Sequence, residues 1–443
     1  MTPTDQDHRT VATADDGEHG GEPAPAARTR RDRIKGLRTF DSLRTPRFRD
    51  FFLSMLGQMA SQNMQMVVRS YLAYLLTGSY AALGTIALAS ALPGIVFAMV
   101  GGAIADRVAR RKLVVQTGQL VNAVNACAVA ILLLTDTLTF GLLLTSAVVQ
   151  GTSMALMMPS RQSLLPSLIP REQLMNAVAL NSAGMNTMRL FAPALGGFLF
   201  EWAGAAWVYF LMSGLYLFAS LFLLRVPEEP REIQAAGSIS GEVRAGFANI
   251  TGGLAYIVRD PIIGPLMGIN ILVVLTAMPY MFLLGGFVQD VFDAGADSLG
   301  LLQSVSGIGA LTGALVIASL PARRRGAGFL LGSAFQGLML LLAFTLSTSV
   351  WMMAGFMLAM GLGQSARQSL SNVLVQSYVE EEYRGRVMSV YMLQFSLSQL
   401  GAFLTGLLAA TIGPRAALGL TSAALVTLAL GAFAFIPRLR NLE

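Results

Sequence analysis

"GGAIADRVARRKLVV", residues 101–115, sets five charged side chains, Asp106, Arg107, Arg110, Arg111 and Lys112, within seven positions between two long apolar stretches. In an oily chain such a cluster reads as a short turn between two helices that cross a bilayer. Composition supports that reading: 54% of the residues are hydrophobic and 13% charged, against ~25% charged in an ordinary soluble domain. A crossing helix needs ~20 predominantly apolar residues to span ~30 Å of hydrocarbon. Windows of that kind run almost end to end from about Phe51.

The same inventory excludes several chemistries. A single Cys, Cys127, permits no disulfide and no Cys-based metal site within one chain. Both His, His8 and His19, precede the first window, so an intramembrane proton relay or metal centre would have to work without imidazole. No cofactor and no bound metal are expected. The formal net charge of +6 is accounted for by basic cytoplasmic turns, without nucleic acid. No G-x-x-x-x-G-K-[ST] pattern is present, so ATP is not the expected driver.

The stretch 1–45 lacks apolar periodicity and is expected to be a disordered cytoplasmic tail, not a signal peptide. Twelve apolar windows follow, beginning near Phe51, Leu83, Leu113, Leu138, Leu174, Ala205, Ile262, Leu299, Phe329, Val350, Val387 and Ala416. Alternate turns are basic, among them Arg107, Arg110, Arg111, Lys112, Arg161, Arg171, Arg225, Arg259, Arg384 and Arg386. The opposite turns carry Asp136, Glu201, Asp290, Asp293 and Asp297, with Arg415 as the basic exception. The positive-inside rule then makes both termini cytoplasmic in a multi-pass protein of the inner (plasma) membrane.

The longest connection, 226–260, divides the windows into two bundles of six, 46–225 and 261–437, with a cytoplasmic C-terminal tail at 438–443. The halves look related. "SRQSLLPSLIPREQLMNAVAL" (160–180) recurs as "ARQSLSNVLVQSYVEEEYRGRVMSV" (366–390), matched at "RQSL". Two parallel six-helix repeats about an axis along the membrane normal are a transporter architecture.

From Gly102 to Lys112 the opening stretch resembles the loop motif of the major facilitator superfamily, G-x-L-a-D-R-x-G-R-R-K, with Ala109 where that family usually has Gly. "RFRDFF" (47–52), "LTGS" (76–79), "PSRQSLLPSLIPREQLMNAVALN" (159–181) and "YRGRVMS" (383–389) are similar to its drug and siderophore exporter branch, that of enterobactin and macrolide efflux. "APALGG" (192–197) is similar to the exporters' G-P-x-x-G-G antiporter motif, here Pro193, Gly196 and Gly197 with Ala192 for the first Gly. The resemblance implies an all-α membrane protein: twelve transmembrane helices in two parallel six-helix repeats around a central cavity. It also implies a cytoplasmic gate made of Gly102, Asp106, Arg107, Arg110 and Arg111; in the inward-closed arrangement Asp106 is expected against the helix N-terminus near residues 383–386, where a carboxylate meets partial positive charge and unpaired N–H groups.

Polar residues inside the windows mark the expected substrate path. In the first window Ser54, Gln58, Gln62, Gln65 and Arg69 recur at helical spacing and form one stripe. The fourth window offers Gln150, Met154, Met157 and Arg161; the fifth has Ser182, Asn186 and Arg189; the eleventh has Tyr391, Gln394 and Ser398. The seventh shows Met267, Asn270, Met278 and Met281 instead. Arg189 lies deepest and is the expected anion ligand, whereas Arg161 is expected to reach out from the end of its helix.

The expected activity is secondary active transport by alternating access: export of small amphiphilic organic molecules, drug, antibiotic or siderophore-like, driven by the proton-motive force. An importer on the same fold is the alternative; a membrane receptor or enzyme fits less well, since nothing resembles a catalytic cluster. No window centre contains Asp or Glu, so protons are expected as the coupling ion without an assigned site. The protein is expected to work as a monomer in the bilayer.

Overall fold

The structure, a computed structural model, describes residues 42–107, 111–227, 239–319 and 324–442, with the backbone alone at 95, 97–107, 239–247, 249 and 395. The tail 1–41, residues 228–238, and Arg110 of the opening motif lie outside the described residues. Among those described, all regular structure is helical. The first six helices are α1 (Pro46–Thr77), α2 (Tyr80–Arg107), α3 (Arg111–Leu134), α4 (Phe140–Leu164), α5 (Leu174–Ala203) and α6 (Ala205–Leu224). Then come α7 (Ile239–Arg259), α8 (Ile263–Ala277), α9 (Tyr280–Phe292), α10 (Ala296–Ser319), α11 (Arg325–Leu346) and α12 (Val350–Tyr378). The last four are α13 (Glu381–Met392), α14 (Gln394–Ile412), α15 (Pro414–Phe435) and the short α16 (Pro437–Arg440).

Eight segments among the described residues are long and apolar enough to cross a membrane, including Arg111–Leu134, Ala205–Leu224, Ile263–Phe292, Arg325–Leu346 and Pro414–Phe435. The chain is therefore a multi-span membrane protein. Three helices outside that set, α1, α5 and α12, are equally long but diluted by amides and guanidinium groups. α1 alone has 32 residues, about 48 Å at 1.5 Å per residue.

Turn chemistry sets the helix ends. Gly78 closes α1 at φ 59°, while Gly204 (φ 90°, ψ 162°) joins α5 to α6 and Gly413 (φ 85°, ψ 156°) joins α14 to α15. The last two conformations are open essentially to Gly alone. The expected seventh and eleventh windows are each broken in two. Pro279 lacks the N–H that would continue α8 into α9, and Leu393 separates α13 from α14. The connection 226–260, read from sequence as a linker, contains α7. Its Gly253 packs on the Arg386 backbone and its Tyr256 ring stacks on Tyr383 at 4.5 Å, so α7 is pinned against α13.

Helices α1–α6 pack chiefly on one another, as do α8–α15, and the two groups meet along two seams, α5 against α10 and α2 against α14. Glycines let the backbones touch there. A Cβ at Gly197 would lie 2.1 Å from the Ala296 carbonyl oxygen, one at Gly300 2.5 Å from that of Pro193, and one at Gly84 2.7 Å from the Phe403 Cα. Small residues at a membrane helix contact permit this close packing.

Candidate functional site

Two buried polar networks occupy the interior, one in each group of helices. In the first, the α1 stripe faces two neighbours. Gln119 on α3 donates to Ser54 Oγ at 3.1 Å and to Gln58 Oε1 at 3.2 Å, whereas Arg69 donates to Gln150 on α4, which donates in turn to Gln65. Tyr209 and Tyr216 on α6 are buried beside the Arg69 guanidinium. Gln62 is half-buried and its Oε1 has no partner. A positive charge in this setting is sustained by amide and phenol dipoles in place of a carboxylate.

The second network is centred on Arg367 of α12, 1% exposed. Its Nε donates to Gln336 Oε1 on α11 at 3.0 Å, and its Nη1 to Asn270 Oδ1 on α8 at 3.3 Å. Asn270 passes the chain on, donating to Gln394 at 3.2 Å. Gln394 is the first residue of α14, so the break at Leu393 brings it to Asn270. Tyr391, one turn before, is buried. Sequence reading overlooked Arg367, Gln336 and Gln119. The signal for the first was present: "RQSL" aligns Arg367 with Arg161.

Arg161 differs from the expectation that it reaches toward water. It is 6% exposed, its Nη1 has no hydrogen-bond partner, and its guanidinium carbon sits 6.0 Å from the Phe51 ring centre. The side chain is buried against Phe51, which belongs to an apolar cluster with Phe48, Val115 and Met157. Arg189 and Asn186 stand exposed on α5, and Arg189 lies within electrostatic reach of Tyr280 on α9, across the seam between the groups. The predicted residues are thus distributed: Gln58, Gln65, Arg69 and Gln150 in one network, Gln394 in the other, Tyr391 beside it, and Asn186 with Arg189 on an open face.

Pro193, Gly196 and Gly197 are all buried at a crossing of three helices. Gly196 packs on Met64 of α1, and Gly197 and Pro193 on α10. Of the expected gate, Gly102, Asp106 and Arg107 belong to the last turns of α2, with side chains outside the described residues, and Arg111 opens α3, half-buried. Lys112 of the same motif caps α6: its Nζ donates to the carbonyls of Leu224 at 2.9 Å and Val226 at 2.6 Å. A cation is well placed at a helix C-terminus. Arg415, the basic exception among the acidic turns, bonds the Thr345 and Ser347 carbonyls at the end of α11.

At the acidic end, side chains that sequence reading missed bond across the two groups of helices. Tyr71 on α1 donates to Gln289 on α9, and Tyr80 on α2 donates to Asp290 Oδ2 at 3.2 Å. Tyr71 also meets Phe200 edge-on at 5.3 Å. Among the described residues no group of His, Cys, Asp and Glu is arranged to hold a metal.

Comparison with known proteins agrees with this architecture. The enterobactin exporter EntS of Shigella boydii is 27% identical over 323 residues, 72% of this chain and 74% of that one. The MFS-type transporter YfiS of Bacillus subtilis is 26% identical over 336 residues, 73% and 77% of the two chains. A solved POT family transporter in complex with a thioalcohol-conjugated peptide superposes with a TM-score of 0.72 at 12% identity, covering 88% of this chain and 96% of its own. A bacterial homologue of the human lysosomal transporter Spinster, in an inward-facing and unoccupied conformation, gives 0.66 at 16% identity, covering 89% and 97%. The family described as transmembrane secretion effector matches residues 38–443. The chain belongs to that family of major facilitator transporters.

Proposed function

We propose that the protein exports small amphiphilic organic molecules, antibiotic or siderophore-like and anionic or phenolic in character, by alternating access of a twelve-helix bundle. The two buried guanidinium networks, neither built on a carboxylate, carry this reading, because they leave the interior positively charged and rich in amide donors. Such a surface recognises oxygen anions. The exporters among the relatives support the direction.

Matching contacts support two six-helix repeats. α2 packs on α4 as α10 does on α12, α3 on α6 as α11 does on α15, and the two seams exchange under the same pairing. Gly204 and Gly413 repeat one rare conformation at equivalent places. In this arrangement α1, α2, α5 and α12 also cross. The binding surface comprises Gln58, Gln62, Gln65, Arg69, Gln150, Asn186, Arg189, Tyr391 and Gln394, with Arg189 as the group that meets the substrate's charge.

With the basic turns cytoplasmic, the end closed by Tyr71 and Tyr80 faces outward and the cavity opens inward. Gly102, Asp106, Arg107, Arg110 and Arg111 then form the opposing inner latch. The acidic residues with described surroundings, such as Asp50, Glu201, Asp260 and Asp290, stand at helix ends. Proton coupling therefore uses an end carboxylate or a proton carried by the substrate. Transport is carried out by a monomer in the inner membrane.

The test compares metabolites in the medium and cytoplasm of a deletion strain with those of its parent. An anionic amphiphile that accumulates inside and is depleted outside meets the expectation; the reverse distribution would mean import.

A further inference from the structure

A cavity of about 620 Å³ lies between the two groups of helices at the acidic end. Ala194 and Phe198 of α5 line one side; Phe292, Asp297, Ser298, Leu301 and residues 348–351 line the other. Its walls are largely apolar and aromatic, none of its lining residues is basic, and the Asp297 carboxylate is its charged group. That side chain is exposed, with Oδ1 accepting from the Ser298 backbone N–H at 2.6 Å. Oδ2 has no hydrogen bond of its own among those described.

The bilayer's interface lies at this level. All three Trp of the chain cluster at the acidic end: Trp202 closes α5, Trp207 opens α6 and Trp351 opens α12, exposed by 78%, 57% and 74%. Tryptophan collects where hydrocarbon meets headgroups. A cavity at that depth, apolar in most of its lining and holding one exposed carboxylate, fits one class of neighbour. We propose that it seats a membrane lipid with a primary-amine headgroup, of the phosphatidylethanolamine kind. The ammonium meets Asp297, and the upper acyl chain lies against Phe198, Leu301 and Trp351.

A quaternary choline headgroup has no N–H to give the carboxylate, and a glycerol headgroup on an anionic phosphate brings no cation at all. Selectivity therefore rests on the ammonium donor. The lipid would touch both sides of the α5–α10 seam, which on the reading above must part during transport.

Trp351 supplies the readout. With Trp202→Phe and Trp207→Phe, it is the sole indole, and the purified full chain is placed in phosphatidylcholine vesicles doped with lipid spin-labelled near the top of an acyl chain. Labelled phosphatidylethanolamine should quench Trp351 at about two- to fivefold lower mole fraction than labelled phosphatidylcholine, the range expected of an exposed ion pair. Asp297→Asn should make the two curves coincide, and Asp297→Glu should keep them apart. Coincident curves with Asp297 intact, or a preference that survives Asp297→Asn, would overturn the proposal.

Discussion

Arg367 Nη1 donates to Asn270 Oδ1 at 3.3 Å across the contact of α12 with α8, and both side chains are buried. Removing Asn270 alone strands a guanidinium donor, which costs about 1–3 kcal/mol, whereas replacing both partners by apolar groups removes the stranded charge as well. Asn270→Leu and Arg367→Met should therefore cost less together than their sum. Thermal unfolding of the two single variants and the double variant in detergent closes the cycle. Strict additivity would dissolve the pairing.

Arg367→Lys probes geometry at constant charge. One planar fork serves Gln336 and Asn270 on different helices, and a Lys ammonium on its flexible stem does not reproduce that fork. The variant should lose about 1.5–3 kcal/mol, the value of a hydrogen bond to a charged group, in denaturation monitored by circular dichroism.

Gln150→Glu tests the charge of the first network. The carboxylate accepts from Arg69 as the amide does while cancelling the positive charge, and the Gln65 amide turns its Nε2 toward the new oxygen in place of the donor lost from Gln150. Yield and helix content should hold, and affinity for an anionic substrate should fall about tenfold or more, equivalent to about 1.4 kcal/mol. Calorimetry with anionic and neutral analogues separates this outcome from general damage, which would weaken both alike.

Arg189→Gln and Arg189→Lys divide binding from packing. Arg189 is exposed on α5, so neither change should lower stability by more than about 0.5 kcal/mol. Binding of an anionic analogue should suffer strongly in Gln and partly in Lys, with neutral analogues little affected. Unchanged affinity for every analogue in the Gln variant would remove Arg189 from the site.

Gly204→Ala and Gly413→Ala isolate backbone strain. Nothing lies within 4 Å of a Cβ at either position, yet φ is 90° and 85°. Each substitution should cost about 1–3 kcal/mol through conformation alone. Equal shifts in melting temperature would match the shared geometry of the two turns.

Helical periodicity and apolar length made the helical membrane fold legible, because bilayer thickness imposes both on the sequence. Partnership was harder to read. The α1 stripe is visible as a spacing, but the residues that receive it, Gln119 and Gln150, stand on two other helices about 60 and 80 positions away, and nothing local pairs them. Arg367 escaped because its acceptors are spread over α8 and α11, although the internal repeat had aligned it with Arg161. α7 escaped for a different reason: its buried face is built on Gly253 and Ile257, and glycine and serine nearby imitate a loop. Tyr71 and Tyr80 carry no signal in the sequence, because their partners Gln289 and Asp290 lie more than 200 positions away.

The glycine contacts at the α5–α10 seam make that boundary stiff. Where Gly197 meets Ala296 and Gly300 meets Pro193, main chain rests on main chain. No rotamer is available there to absorb a partial displacement, so the surfaces are either seated or apart. A single added methyl is then a wedge: Gly197→Ala, with its Cβ 2.1 Å from the Ala296 oxygen, would hold the end ajar. Spin labels on Thr77 and Thr411, with Cys127 replaced, would register a longer separation at rest, and a protein so propped should bind substrate yet fail to turn over.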